Sequence, residues 1–164
     1  MQKNVGIIIS NNIFRDEEYF EPKFILENAG IKTITIANKI QECTSKFGKI
    51  IMPDMLLNDV NTKNFDAIIF IGGAGSKDYW HNKKAHKIAQ EMFKSKKIIG
   101  AICSAVATLA FSGILKNKIA NSFETEREIL KQHGGILSDD GCIVDGNIVT
   151  ANGQNLLQNS VMKF

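Results

Sequence analysis

Three short runs in this sequence hold only apolar residues and glycine: 5–9 (Val-Gly-Ile-Ile-Ile), 67–71 (Ala-Ile-Ile-Phe-Ile) and 98–102 (Ile-Ile-Gly-Ala-Ile). Each is too short for an independent helix and lacks polar alternation, so each reads as a strand buried on both faces, as in a parallel sheet. Parallel neighbours need crossover connections, and the segments between these runs carry helical signals. Residues 16–29 read as a helix with Asp16 as its N-cap and Pro22 near its first turn. Gly30 ends that helix, and residues 31–37 alternate as another strand. The pattern loosens over 38–64, where short hairpin strands near 41–44 and 48–51 precede a polar connection. Residues 82–95 repeat Ala85, Ile88, Ala89, Met92 and Phe93 at helical spacing, and 104–111 and 124–133 read as further helices. A short strand at 118–122 is expected. Asp145-Gly146-Asn147 turns a hairpin between 142–144 and 148–150, and 154–163 reads as a short final helix. The expectation is an α/β three-layer sandwich with a mainly parallel sheet.

With 164 residues the chain is long enough for one domain, taken as 1–164, and short for two. Its net charge of +3 comes from lysines that are spread out and not interleaved with aromatics, which argues against nucleic acid as a partner. No apolar run approaches the roughly 18 residues that span a bilayer, so no membrane partner is expected, and the first ten residues read as a strand rather than a signal peptide. Cys43, Cys103 and Cys142 are odd in number and widely spaced. They suit neither a disulfide framework nor a zinc site, and a reducing cytoplasm fits them best.

Cys103 stands where the run 98–102 stops and a helix begins, between the small residues Ala101 and Ala105. That is the sequence pattern of a nucleophile elbow, in which a tight turn holds a reactive side chain above the sheet. The positive end of the following helix would lower the thiol pKa. The same residue also reads as a small buried hydrophobe. Ligands of open α/β sheets bind beyond the carboxyl ends of the strands, which here means residues 10–18, Gly72–Gly75 and Cys103. The Gly-Gly-Ala-Gly turn has neither a G-x-G-x-x-G pattern nor a P-loop lysine. It reads either as a plain tight turn or as a source of backbone N–H groups for an oxyanion. Glu17 and Glu18 are adjacent, so only one can point inward. An inward carboxyl beside the thiol would have its pKa raised and could donate to a thiolate; otherwise both are solvated acids at a helix start. His81, His86 and His133 fall outside these loops, so no Ser-His-Asp arrangement is legible.

Five segments in this order resemble the DJ-1/PfpI superfamily: the opening strand, F-R-D-E-E-Y-F-E-P at 14–22, the strand leading into G-G-A-G, A-I-C-S-A at 101–105, and the late D-G-N hairpin. The resemblance implies a flavodoxin-like sandwich of the class I glutamine amidotransferase kind, forming a homodimer without metal or organic cofactor. It makes Cys103 the nucleophile, Glu18 (four residues before Pro22) its hydrogen-bond partner, and Gly73, Gly75 and Ser104 backbone donors. Peptidase-like members carry histidine directly after the cysteine, where this chain has Ser104. DJ-1-like members carry one after the elbow helix, where this chain reads I-A-N-S-F. A cysteine peptidase or amidase would therefore lack its proton shuttle. Two activities remain open: processing of small reactive aldehydes of the glyoxalase or deglycase kind, and redox sensing by oxidation of Cys103. The partner is thus a small aldehyde or an oxidant. An inert domain that keeps the fold is the third reading.

Overall fold

The structure, a computed structural model, describes residues 1–153; the final helix expected at 154–163 lies outside them. In chain order the strands and helices are β1 (Asn4–Ile8), β2 (Asn12–Phe14), α1 (Asp16–Asn28), β3 (Lys32–Ala37), β4 (Cys43–Ser45), β5 (Ile50–Ile51) and β6 (Met55–Leu56). There follow β7 (Ala67–Phe70), α2 (Lys83–Lys94), β8 (Ile98–Ile102), α3 (Val106–Ser112), β9 (Ile119–Ala120), α4 (Arg127–Gln132), β10 (Ile136–Leu137), β11 (Cys142–Asp145) and β12 (Ile148–Ala151). Seven of these strands form one sheet in the order β11-β12-β8-β7-β1-β3-β6. Every pair in it is parallel except β11 with β12, the hairpin turned by Asp145-Gly146-Asn147.

Period-two alternation sorts the apolar runs onto two cores. Ile8, Ile36, Ile68, Phe70, Ile99 and Ala101 face the layer of α2, α3 and α4, where Ile88, Met92, Leu109 and Leu130 meet them. Val5, Ile7, Ala67, Ile69 and Ile102 face the other way, toward Tyr19 and Leu26 of α1. Both faces are dry, which is why these strands read as unbroken apolar runs. The result is the expected three-layer α/β sandwich. Among the described residues no helix is long and apolar enough to cross a membrane.

Several local expectations are corrected. Asp16 is not the N-cap of α1: Arg15 holds that place without a side-chain cap, and Asp16 is the first helical residue. Its carboxylate accepts from Ser45 Oγ at 2.5 Å and from the Phe47 N–H at 3.1 Å, so a tertiary contact took the side chain that capping would have used. Pro22 sits inside the helix rather than near its first turn and contributes to the buried face with Tyr19 and Leu26. The connection 10–14 contains β2, which pairs with β4 in a small separate sheet. The helix expected at 104–111 opens as a 3-10 turn over Cys103–Ala105 before α3, and that expected at 124–133 opens likewise over Glu124–Glu126 before α4.

Candidate active site

The sheet order places β8, β7 and β1 side by side, so the loops leaving their carboxyl ends converge, as the apolar runs alone suggested. Cys103 follows β8 with φ +60, a left-handed conformation that costs a non-glycine residue stability and marks a strained elbow. The flanking Ala101 and Ala105 are fully buried, leaving no side chain to resist the turn.

Arg15 positions the partner acid. Its backbone N–H donates to the Gly72 carbonyl at 3.0 Å, which fastens the start of α1 to the end of β7. Three residues later, Glu18 is 1% exposed and its Oε2 accepts from the Gly72 N–H at 2.7 Å. Glu17 instead turns outward to accept from Arg15 Nε at 2.5 Å. Glu18 therefore reaches the site and Glu17 does not. The approach is close enough that a Cβ on Gly72 would lie 2.6 Å from Glu18 Oε2 and 2.7 Å from Cys103 Cβ. A Cβ on Gly153, at the end of the neighbouring strand, would lie 3.0 Å from Glu18 Oε1 and 3.4 Å from Cys103 Sγ. Only glycine fits between these elements and the carboxyl–thiol pair.

Burial pushes the Glu18 carboxyl up to about 7, opposed by the hydrogen bonds from the Gly72 N–H and the Cys103 thiol. Burial, and next the Glu18 charge, push the Cys103 thiol up to about 12, although the Ser104 hydroxyl and N–H pull the other way. The expected lowering of the thiol pKa is thus overturned: desolvation and a neighbouring acid outweigh the end of a short helix. Each group shifts the other, so the carboxyl and thiol titrate as a coupled pair. Glu18 thus lies against the thiol, its Oε2 held by the Gly72 N–H.

The sulfur faces a cleft of about 290 Å³. Its wall includes Cys103, Ser104, Gly73, Ile13, Phe123 and Glu126, with Arg15, Lys46 and Lys77 on the rim. Gly73 and Ser104 therefore border the same space as Cys103. Gly75 does not: it lies in a 3-10 helix over Ala74–Tyr79, packed against the Asn12 carbonyl and Ser10 Oγ. No histidine lines the cleft. His81 and His133 pack against Phe111, with ring centroids 4.3 and 4.8 Å away, and His86 Nε2 lies 2.6 Å from the Trp80 carbonyl oxygen. Cys43 and Cys142 are buried elsewhere in the core.

Sequence reasoning placed Gly72 and Arg15 in the site loops without giving either a role, and it missed Glu126. Gly72 carried a visible signal, since it opens the glycine turn at the end of an apolar run. Glu126 carried none, being one of several acids before a helix. Ser104 Oγ donates to its Oε2 at 3.3 Å, and Thr125 Oγ1 donates to its Oε1 at 2.8 Å.

A cysteine on a strained strand-to-helix elbow, backed by a buried glutamate at the carboxyl edge of a parallel sheet, defines a class of α/β proteins with a thiol at the strand ends. Comparison with known proteins narrows that class. The sequence matches the DJ-1/PfpI family over residues 3–161, and the chain belongs to that family. Protein MJ0967 of Methanocaldococcus jannaschii is 38% identical over 150 residues, covering 90% of this chain and 73% of its own. Deglycase PfpI of Pyrococcus furiosus is 29% identical over 145 residues, covering 88% and 87%. The crystal structure of a ThiJ/PfpI domain protein from Brachyspira murdochii superposes with a TM-score of 0.90 at 31% identity, covering 93% of this chain and 89% of that one. Schizosaccharomyces pombe DJ-1, at 21% identity and a TM-score of 0.83 over 92% and 83% of the two chains, shares the fold.

Proposed function

We propose that this protein processes small reactive aldehydes, in the manner of a glyoxalase or deglycase, through Cys103 assisted by Glu18. The observation that carries the proposal is a cleft-lining thiol on a strained elbow with the buried Glu18 carboxyl packed behind it. A carboxylate in that position accepts the thiol proton as sulfur bonds to an aldehyde carbon, so the nucleophile is formed only as it attacks. The carbonyl oxygen becomes an alkoxide that backbone N–H groups near Gly73 and Ser104 would hold. In a 2-oxoaldehyde a hydrogen then shifts from the aldehyde carbon to its neighbour, oxidising one carbon and reducing the other. The product is a thioester of a 2-hydroxy acid, which water cleaves. The cleft volume suits a substrate of a few heavy atoms, and relatives named deglycase support the assignment.

The other readings have less behind them. Peroxide oxidises the thiolate, and a thiol held up at about 12 offers little of it at neutral pH. A peptidase needs an acid to protonate its leaving amine, and no histidine lines the cleft. Purified protein supplied with methylglyoxal should yield lactate without added cofactor, and Cys103→Ala should yield none. Wild type that produces no lactate would refute the proposal.

A further inference from the structure

Glu18 serves one side of the sulfur only. It is buried behind Cys103 and takes no part in the cleft wall, so a molecule in the cleft reaches it only through Sγ. Release of an acyl group from Cys103 nevertheless needs a base on the cleft side, because the attacking water must lose a proton there.

The cleft side holds a second carboxylate. Ser104 Oγ lies 3.8 Å from Cys103 Sγ and donates its proton to Glu126 Oε2. Glu126 is 4% exposed, and its other oxygen is held by Thr125. The elbow itself fixes this position: the Phe123 N–H donates to the Cys103 carbonyl at 3.4 Å, and the Glu126 N–H donates to the Phe123 carbonyl at 3.1 Å. Among the described residues no cation forms an ion pair with Glu126. Burying a carboxylate against hydroxyls alone is costly, and both Glu126 oxygens are used as acceptors, one from Ser104 and one from Thr125, where a glutamine would offer a single acceptor oxygen. With its one proton turned to Glu126 rather than to Cys103 Sγ, the Ser104 oxygen can accept from a water in the cleft.

We propose that Glu126, acting through Ser104, accepts the proton of the water that releases the acyl group from Cys103. The inference rests on the aldehyde reading and extends it. Water donates one proton to Ser104 Oγ as the Ser104 proton passes to the Glu126 carboxylate. The resulting hydroxide bonds to the thioester carbon, the C–S bond breaks with its electron pair on sulfur, and sulfur recovers from Glu18 the proton it gave up during addition. Glu126 then loses its proton to solvent as the hydroxy acid departs. No electron acceptor is needed, since hydrolysis changes no oxidation state. Two carboxylates on opposite sides of one sulfur thus divide the work, Glu18 handling the thiol proton and Glu126 the water proton. The missing histidines leave no gap.

The test compares wild type, Glu126→Gln, Ser104→Ala and Glu18→Gln with methylglyoxal. Lactate formation is followed, and the Cys103 peptide is weighed by mass spectrometry before and after hydroxylamine, which cleaves thioesters. Glu126→Gln and Ser104→Ala should each lose about a hundredfold in turnover, a typical loss for a general base, and should accumulate a hydroxylamine-sensitive adduct on Cys103. Glu18→Gln should lose turnover without accumulating it, because addition itself fails. A merely structural role for Glu126 would lower turnover without an adduct, and that outcome, or turnover within about threefold of wild type, would overturn the inference. If Glu126→Gln does not fold, Ser104→Ala decides by the same criteria. Wild type that yields neither lactate nor adduct would overturn the aldehyde reading and this inference together, whereas an active wild type with unaffected variants would overturn this inference alone.

Discussion

Replacing Glu18 with glutamine should change the pH dependence of stability by an amount the structure fixes. The carboxyl titrates at about 7 in the folded chain against an ordinary value of 4.5, chiefly because it is buried. Between these values the folded chain keeps a proton that the unfolded chain has released, so the free energy of unfolding falls as pH rises through this window. The difference of about 2.5 units corresponds to about 3 kcal/mol at 1.36 kcal/mol per unit. That contribution is fully present below pH 4.5 and gone above 7. Glutamine keeps the shape and cannot ionise, so the variant lacks this slope. Urea unfolding at pH 4 and pH 8 should show the variant gaining about 3 kcal/mol on wild type between the two conditions, with other titrating groups cancelling in the comparison. The thiol supplies an independent arm. Burial ranks ahead of the Glu18 charge in raising Cys103 from 9.0 to about 12, so removing the charge should lower its pKa while leaving it above 9.0. Alkylation of Cys103 by iodoacetamide should then quicken while turnover collapses, the two readouts moving in opposite directions. A stability gap that does not change with pH, together with unaltered alkylation, would refute the coupling of these two groups.

Two further outcomes follow from the same geometry. Iodoacetamide at pH 8 should label Cys103 well ahead of Cys43 and Cys142, because it alone of the three faces the cleft; equal labelling of the folded protein, checked by peptide mass, would contradict that wall. Gly72→Ala should cost about 1–3 kcal/mol in urea unfolding and abolish turnover, since the new methyl must displace either Glu18 or Cys103. An active and fully stable variant would mean that the carboxyl and thiol are not held as closely as described.

The sequence alone determined the architecture and which cysteine stands at the elbow. The unbroken apolar runs 5–9, 67–71 and 98–102 can be satisfied only in a sheet covered on both faces, and hydrophobic burial is the dominant driving force of folding. An elbow is legible because a strand, a cysteine and a helix follow one another directly in the chain. The adjacency of Glu17 and Glu18 limited the inward acid to one, and α1 settled which, through the bond from Arg15 to Gly72. What the sequence could not contain was the outcome of competition between local and long-range interactions. Asp16 left its cap for Ser45 and Phe47, which arrive 29 and 31 residues later. The thiol pKa escapes a local reading because a helix end is a neighbour in the chain, whereas desolvation is set by everything that closes around the sulfur: Gly72, Gly153 and Glu18 come from three separate parts of the chain. Glu126 is invisible in the sequence for the same reason. Its place beside Cys103 depends on backbone hydrogen bonds from Phe123 and Glu126 that form only once the elbow exists, so only the tertiary structure could supply the second carboxylate.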